Sequence, residues 1–423
     1  MSDIVAWFGR TVQKQTNANP AHGRSLLLAG YRAAGIKLRF FPDKRLPPSR
    51  QFGATAVNRV MCRVTAHPDQ AALVSVFMPC ELLEALDILP MCAELYAAFI
   101  NGSDAEASFA QTAEEQGIPE SYCSYHKVLL GCAYSGLLPP PAVIVNTSLV
   151  CDANNLSFRE LSNFYGVPQY YVDVPPERSE ASVTYVAEQL RDLAIFLENH
   201  TNRKLDPDRL CAIMERSRDT VALLKKCYFE RSLHSLPGDL TAEMYEIYLT
   251  HNALGSEAAL RYAETLYTDL KNAPSAHGIR LLWLHTIPIW QTPVRELFDF
   301  SDRCQIVCVD MNLESLIEVD PEKPYESMAR RLVYSHWNGG EERIKTAVQA
   351  AKDLNVNGVI CFCHWGCKQT MGLSAVMKQR LEAEGFPTLI LNGDGCDRRN
   401  ASDGQTATRL HAFMEMLGYH EDE

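Results

Sequence analysis

The chain has 423 residues, 47% of them hydrophobic and 22% charged, with a formal net charge of −12. Such a length calls for two or three domains with real cores, and the acidic balance lacks the basic footprint of a nucleic-acid surface. No run of eighteen apolar residues offers a membrane span, and residues 1–10 lack a signal-peptide pattern, so a cytoplasmic protein is expected.

In chain order, residues 1–50 read as an N-terminal helical extension with a polar loop, closed by Pro47-Pro48. A first α/β region is expected over 51–178. Its strand candidates are the apolar runs 71–77, 142–145 and 170–174, each followed by proline or a turn sequence, with helical patterns between. Residues 179–275 form a helical connecting region, in which Val183, Val186, Leu190, Leu193 and Leu197 recur at spacings of three and four. The α/β pattern returns over 276–423, with strand candidates at 278–284, 305–310, 358–363 and 388–391. Strands alternating with helices predict two open, mostly parallel, flavodoxin- or Rossmann-like sheets.

Fourteen cysteines stand in the chain. Without a signal sequence they do not read as a disulfide framework, and most are expected to pack as buried hydrophobes. Position sorts them further, because open α/β sheets bind ligands beyond the carboxyl ends of their strands. Cys151 follows the run 142–145, Cys367 follows 358–363, and Cys123 opens a helical stretch. All three sit where amide donors and a helix dipole favour a thiolate. Cys361 and Cys363 lie inside a strand and read as core. The three cysteines form no CxxC pair, so spacing alone identifies neither a zinc ribbon nor a ferredoxin.

The stretch Cys151-Asp152, Glu160, Gly166-Val167-Pro168 and Asp173-Val174-Pro175 resembles the 2-hydroxyacyl-CoA dehydratase family. So do Pro79-Cys80-Glu81 and a C-terminal block with His364-Trp365-Gly366-Cys367, Gly393-Asp394, Gly404-Gln405 and Thr408-Arg409-Leu410. The likeness spans roughly residues 70–420.

That resemblance implies one [4Fe–4S] cluster held by Cys123, Cys151 and Cys367, in an oxygen-sensitive lyase subunit that acts on an (R)-2-hydroxyacyl-CoA. It implies loss of water through a ketyl radical. One electron would come from a separate ATP-hydrolysing iron–sulfur activator, and a homologous second subunit would complete a heterodimer. No phosphate-loop motif occurs in this chain, in keeping with an ATPase elsewhere. Glu81 is the candidate acid/base or orienting carboxylate, with a helix-start capping role as the alternative. His364 is read as a hydrogen-bond donor beside Cys367 or as packing, and Arg398-Arg399 as a phosphate contact or a solvated pair. Cys80 departs from the family pattern and Cys396 reads as structural. Rival readings are a related ATP-dependent reductase of benzoyl-CoA or double-cubane type, an electron-relay subunit, and a mononuclear zinc enzyme.

Overall fold

A computed structural model describes residues 2–419, without the side chains of Ser2, Asp3 and Ser315. Met1 and residues 420–423, the ends of the first and last expected regions, lie outside the described residues.

Two helices, Ser2–Ala18 and Pro20–Phe40, form the N-terminal extension, and a third, Pro48–Ala66, follows. Pro48 opens that third helix because a first-turn position needs no backbone donor. The Pro47-Pro48 break thus both ends the extension and starts a helix.

The first sheet contains β1 (Ala71–Val74), β2 (Leu89–Cys92), β3 (Val143–Thr147) and β4 (Gln169–Val172), all parallel, in the order β2-β1-β3-β4. The second contains β5 (Ile279–Leu284), β6 (Cys304–Val309), β7 (Gly358–His364) and β8 (Thr388–Gly393), also parallel, in the order β6-β5-β7-β8. Both sheets therefore have a flavodoxin-like order, 2-1-3-4. Seven of the eight strands coincide with apolar runs in the sequence. The exception is β2, which carries Pro90 and looked unlike a strand. It lies at the sheet edge, where a missing amide donor costs no ladder bond.

Alternate residues feed opposite faces of each sheet. Val74 and Trp283 belong to one apolar cluster that runs unbroken from the first sheet to the second. Ala71 and Leu73 face a second cluster, and Leu282 and Leu284 a third. Every residue of β7 is buried, as a central parallel strand covered on both faces requires.

Between the sheets run the helices Glu180–Thr201, Pro207–Leu233, Leu240–Thr250 and Glu257–Asn272. The first starts where the Ser179 side chain accepts the Ser182 amide, and it buries the predicted stripe from Val183 to Leu197. A buried charge network ties this region together. Arg50 of the third helix pairs with Glu243 and, at 2.7 Å, with Glu246; Arg231 pairs with Glu246 at 2.7 Å and donates to the Val307 carbonyl of β6 at 2.9 Å. Among the described residues, no helix is long and apolar enough to cross a membrane.

Candidate active site

In each sheet the topology reverses between the two central strands, β1 and β3 in one, β5 and β7 in the other. Their carboxyl ends converge on a single cavity of about 560 Å³. Val76 and Phe77 after β1, Cys151 after β3, His285 after β5, His364 at the end of β7 and Cys367 beyond it all line it. Two further thiols join: Cys123 from the loop before helix Ser124–Tyr134, and Cys92 at the end of β2.

Cys123, Cys151 and Cys367 are each the N-cap residue of a helix, namely Ser124–Tyr134, Asp152–Tyr165 and Lys368–Ala383. Cys151 Sγ accepts the Asn154 amide at 3.4 Å, one of the orphan donors of that helix start. The loops carrying Cys123 and Cys367 touch through Gly366. A Cβ there would fall 2.6 Å from the Cys123 nitrogen, and its φ is +84°, so glycine is required on both counts. Val150, a β-branched residue at φ +67°, and His285 at φ +80° also bend the backbone at the cavity wall.

Burial raises the pKa of Cys123 and Cys151; Cys367 further disfavours ionisation of Cys123, and Cys123 and Glu94 that of Cys151. Together with Cys367 they form a donor set that needs a positively charged partner to be held as thiolates. Among the described residues, no three His, Cys, Asp or Glu side chains come close enough to share a single metal ion. Three N-cap thiols spread around one cavity suit a multi-iron group. By that test the residues fit a cluster.

Imidazoles stand next to the sulfurs. The Gly395 amide donates to His364 Nδ1 at 3.0 Å, so the ring proton sits on Nε2, which lies 3.4 Å from Cys123 Sγ. Although His364 is three residues from Cys367 in sequence, its hydrogen bond goes to the opposite loop. His126 Nε2 is 3.8 Å from Cys151 Sγ, and burial lowers this ring's pKa to about 3, so it is neutral. The Cys367 helix start is held by Arg343, which pairs with Asp310 at 2.9 Å and donates to Gln369 at 2.8 Å and Thr370 at 3.3 Å.

Among the described residues, one carboxylate lines the cavity, and the sequence did not single it out. Glu94 accepts from the Val76 amide at 3.1 Å and from Asn154 at 3.2 Å, with the Cys92 thiol at 3.4 Å. Burial raises its pKa. Its signal in the sequence was weak, since it follows the unrecognised edge strand β2. Glu81 lies elsewhere. It is fully buried at the start of helix Glu81–Ala85, and both its oxygens bond Arg331 at 2.7 Å, with Ser217 at 3.2 Å. It does not line the cavity.

The remaining candidates sort by position. Cys361 and Cys363 are buried in β7, and Cys396 is buried in the core beneath the first sheet. Cys80 is buried against Met78 and Asn252. Arg398 reaches the cavity wall but pairs with Glu106 at 2.6 Å, while Arg399 bonds Asp397 and Glu114.

Fold and site together define an α/β protein in which two like-ordered parallel sheets hold a thiol-lined cavity between their switch points. Residues 75–417 match the family of the 2-hydroxyglutaryl-CoA dehydratase D-component, and the chain belongs to that family of hydro-lyase components. It is 22% identical over 357 residues to the (R)-phenyllactyl-CoA dehydratase alpha subunit of Clostridium sporogenes, covering 80% of this chain and 87% of that one. It is 23% identical over 310 residues to the (R)-2-hydroxyglutaryl-CoA dehydratase subunit alpha of Acidaminococcus fermentans, covering 68% of this chain and 62% of that one.

Proposed function

We propose that this chain is the cluster-binding subunit of a 2-hydroxyacyl-CoA dehydratase, with Cys123, Cys151 and Cys367 holding a [4Fe–4S] group, and that it removes water from an (R)-2-hydroxyacyl-CoA to leave the 2-enoyl-CoA. The observation that carries this reading is the convergence of three N-cap cysteines, remote in sequence, on one cavity at the switch points of both sheets. When bound, the cluster would supply a one-electron donor and, with three protein ligands for four irons, a Lewis-acidic open iron.

The protein's own groups have distinct tasks. The aromatic and aliphatic walls exclude water from the thioester. Glu94 is the proton carrier: its carboxyl, with a pKa raised by burial, gives a proton to the departing hydroxyl, and the carboxylate so formed takes the β-hydrogen as a proton, which restores the acid. The Val76 amide and Asn154 hold that carboxylate toward the thiols. His364 Nε2–H orients the Cys123 sulfur. The reading includes a related second subunit, since the curated relatives are alpha subunits, and an ATP-hydrolysing activator as electron source.

Iron, acid-labile sulfide and the visible spectrum of the chain, purified without oxygen, test the proposal. About four irons and about four sulfides, with a broad brown absorption bleached by air, are expected. Cys123→Ala, Cys151→Ala and Cys367→Ala each lose the iron, whereas Cys361→Ala and Cys227→Ala keep it. A chain that takes up no iron on anaerobic reconstitution overturns the reading.

A further inference from the structure

The helix Pro20–Phe40 lies before the region that matches the family, as does Pro48–Ala66. The two helices nevertheless supply Tyr31, Ala34, Lys37, Leu38 and Asn58 to the cavity wall. Tyr31 is 5% exposed and meets Phe99 edge-on with ring centroids 5.4 Å apart; Phe99 in turn lies 6.0 Å from Tyr245. Tyr248 and Leu95 line the same cavity. The Tyr31 hydroxyl is buried and makes no hydrogen bond of ordinary geometry, although Ser103 stands beside it at the same wall.

Among the described residues that line the cavity, the charged side chains are Glu94, Lys37, Arg295 and Arg398. Glu94 and the thiols are the acidic groups on its inner wall. Both arginines that reach the cavity are already engaged by carboxylates, Arg295 by Asp299 at 2.7 Å and Arg398 by Glu106 at 2.6 Å and Asp104 at 3.0 Å. Lys37 is on the exposed rim. A second carboxylate carried inward past that rim would be desolvated beside Glu94, with both arginines already committed to other carboxylates, which is unfavourable. A neutral ring, by contrast, would find edges and faces of Tyr31, Phe99 and Tyr245 to pack against.

We propose that Tyr31, on a helix outside the family match, is a specificity-determining residue, and that the cavity selects a neutral, ring-bearing acyl group over one that ends in a carboxylate. The inference rests on the reading of the cavity as a CoA-thioester site.

Calorimetric titration of the full chain, purified anaerobically, tests it with three CoA thioesters that differ only in their 2-hydroxyacyl group: aryl-bearing, branched alkyl and carboxylate-terminated, with free CoA as reference. The aryl thioester is expected to bind at least about tenfold more tightly than the carboxylate-terminated one. Tyr31→Ala abolishes most of that ratio, and Tyr31→Phe retains it. Ala34→Arg, at an exposed position on the same wall, tightens only the carboxylate-terminated ligand, and it serves if Tyr31→Ala fails to fold. Equal binding of all three thioesters, or an unchanged ratio in Tyr31→Ala, overturns the selectivity while leaving the thioester site intact. No thioester binding better than free CoA overturns the site itself and the selectivity with it.

Discussion

Breaking the Glu81–Arg331 pair should be among the most damaging single changes in the protein. Glu81 follows β1 in the first half of the chain, and Arg331 sits on helix Pro324–Val333 in the second, so the pair bolts the two halves together. The carboxylate side chain is fully buried and the guanidinium 8% exposed, with two parallel bonds of 2.7 Å between them. Arg331→Met keeps most of the apolar stem but strands a buried carboxylate on the single hydroxyl of Ser217. The expected loss is about 3–5 kcal/mol, a large part of an ordinary protein's total stability. Replacing both partners with apolar residues, Glu81→Leu with Arg331→Met, removes the uncompensated charge and should restore most of that loss. Urea unfolding of the cluster-free chains, with midpoint and m-value both recorded, supplies the comparison. A double variant as unstable as the sum of its singles would refute the reasoning, as would a loss below about 1 kcal/mol for Arg331→Met. The same double variant examines the acid/base role considered for Glu81. Its position outside the cavity predicts unchanged iron content and turnover per cluster within a few-fold. A fall of about 10²-fold or more at full iron would return Glu81 to the chemistry.

Glu94→Gln should retain iron and thioester binding but lower turnover by about 10²–10⁴-fold, read from kcat at saturating thioester. His364→Leu removes the donor to Cys123 Sγ and should lower the reduction potential of the reconstituted cluster, measured by dye-mediated titration; an unchanged potential would deny that bond. His336 is buried, and its pKa is pushed down to about 3, well below the unfolded value near 6.5. Its burial therefore contributes stability that is complete above pH 6.5 and is lost as pH falls toward 3, because the unfolded chain takes up the proton first. His336→Gln should flatten that acid limb by about 2 kcal/mol at pH 5 relative to pH 7, as followed by urea midpoints across the range.

Much of the fold could be read from local pattern alone. Seven strands announced themselves as short apolar runs closed by turns, and the stripe from Val183 to Leu197 gave its helix by a 3.6-residue period. Those signals survive because hydrophobic burial is decided residue by residue along one element. The edge strand β2 did not show, since Pro90 is tolerated only where no neighbour needs its amide. With β2 went Glu94, the carboxylate that faces the cavity.

The positions of Cys123, Cys151 and Cys367 at helix starts were legible, because a helix start after a strand is a local event. What they share is not local. Only the packing of two like-ordered α/β units brings the Cys367 loop to the cavity that Cys123 and Cys151 line, more than two hundred residues earlier in the chain. The same packing sends Glu81 into an ion pair with Arg331, two hundred and fifty residues away, and His364 toward Cys123 rather than the nearby Cys367. It also carries Tyr31, from a helix outside the family match, into the cavity wall. Chain order and periodicity determine which groups stand at the ends of elements; the docking of one α/β unit on the other decides which of those groups meet.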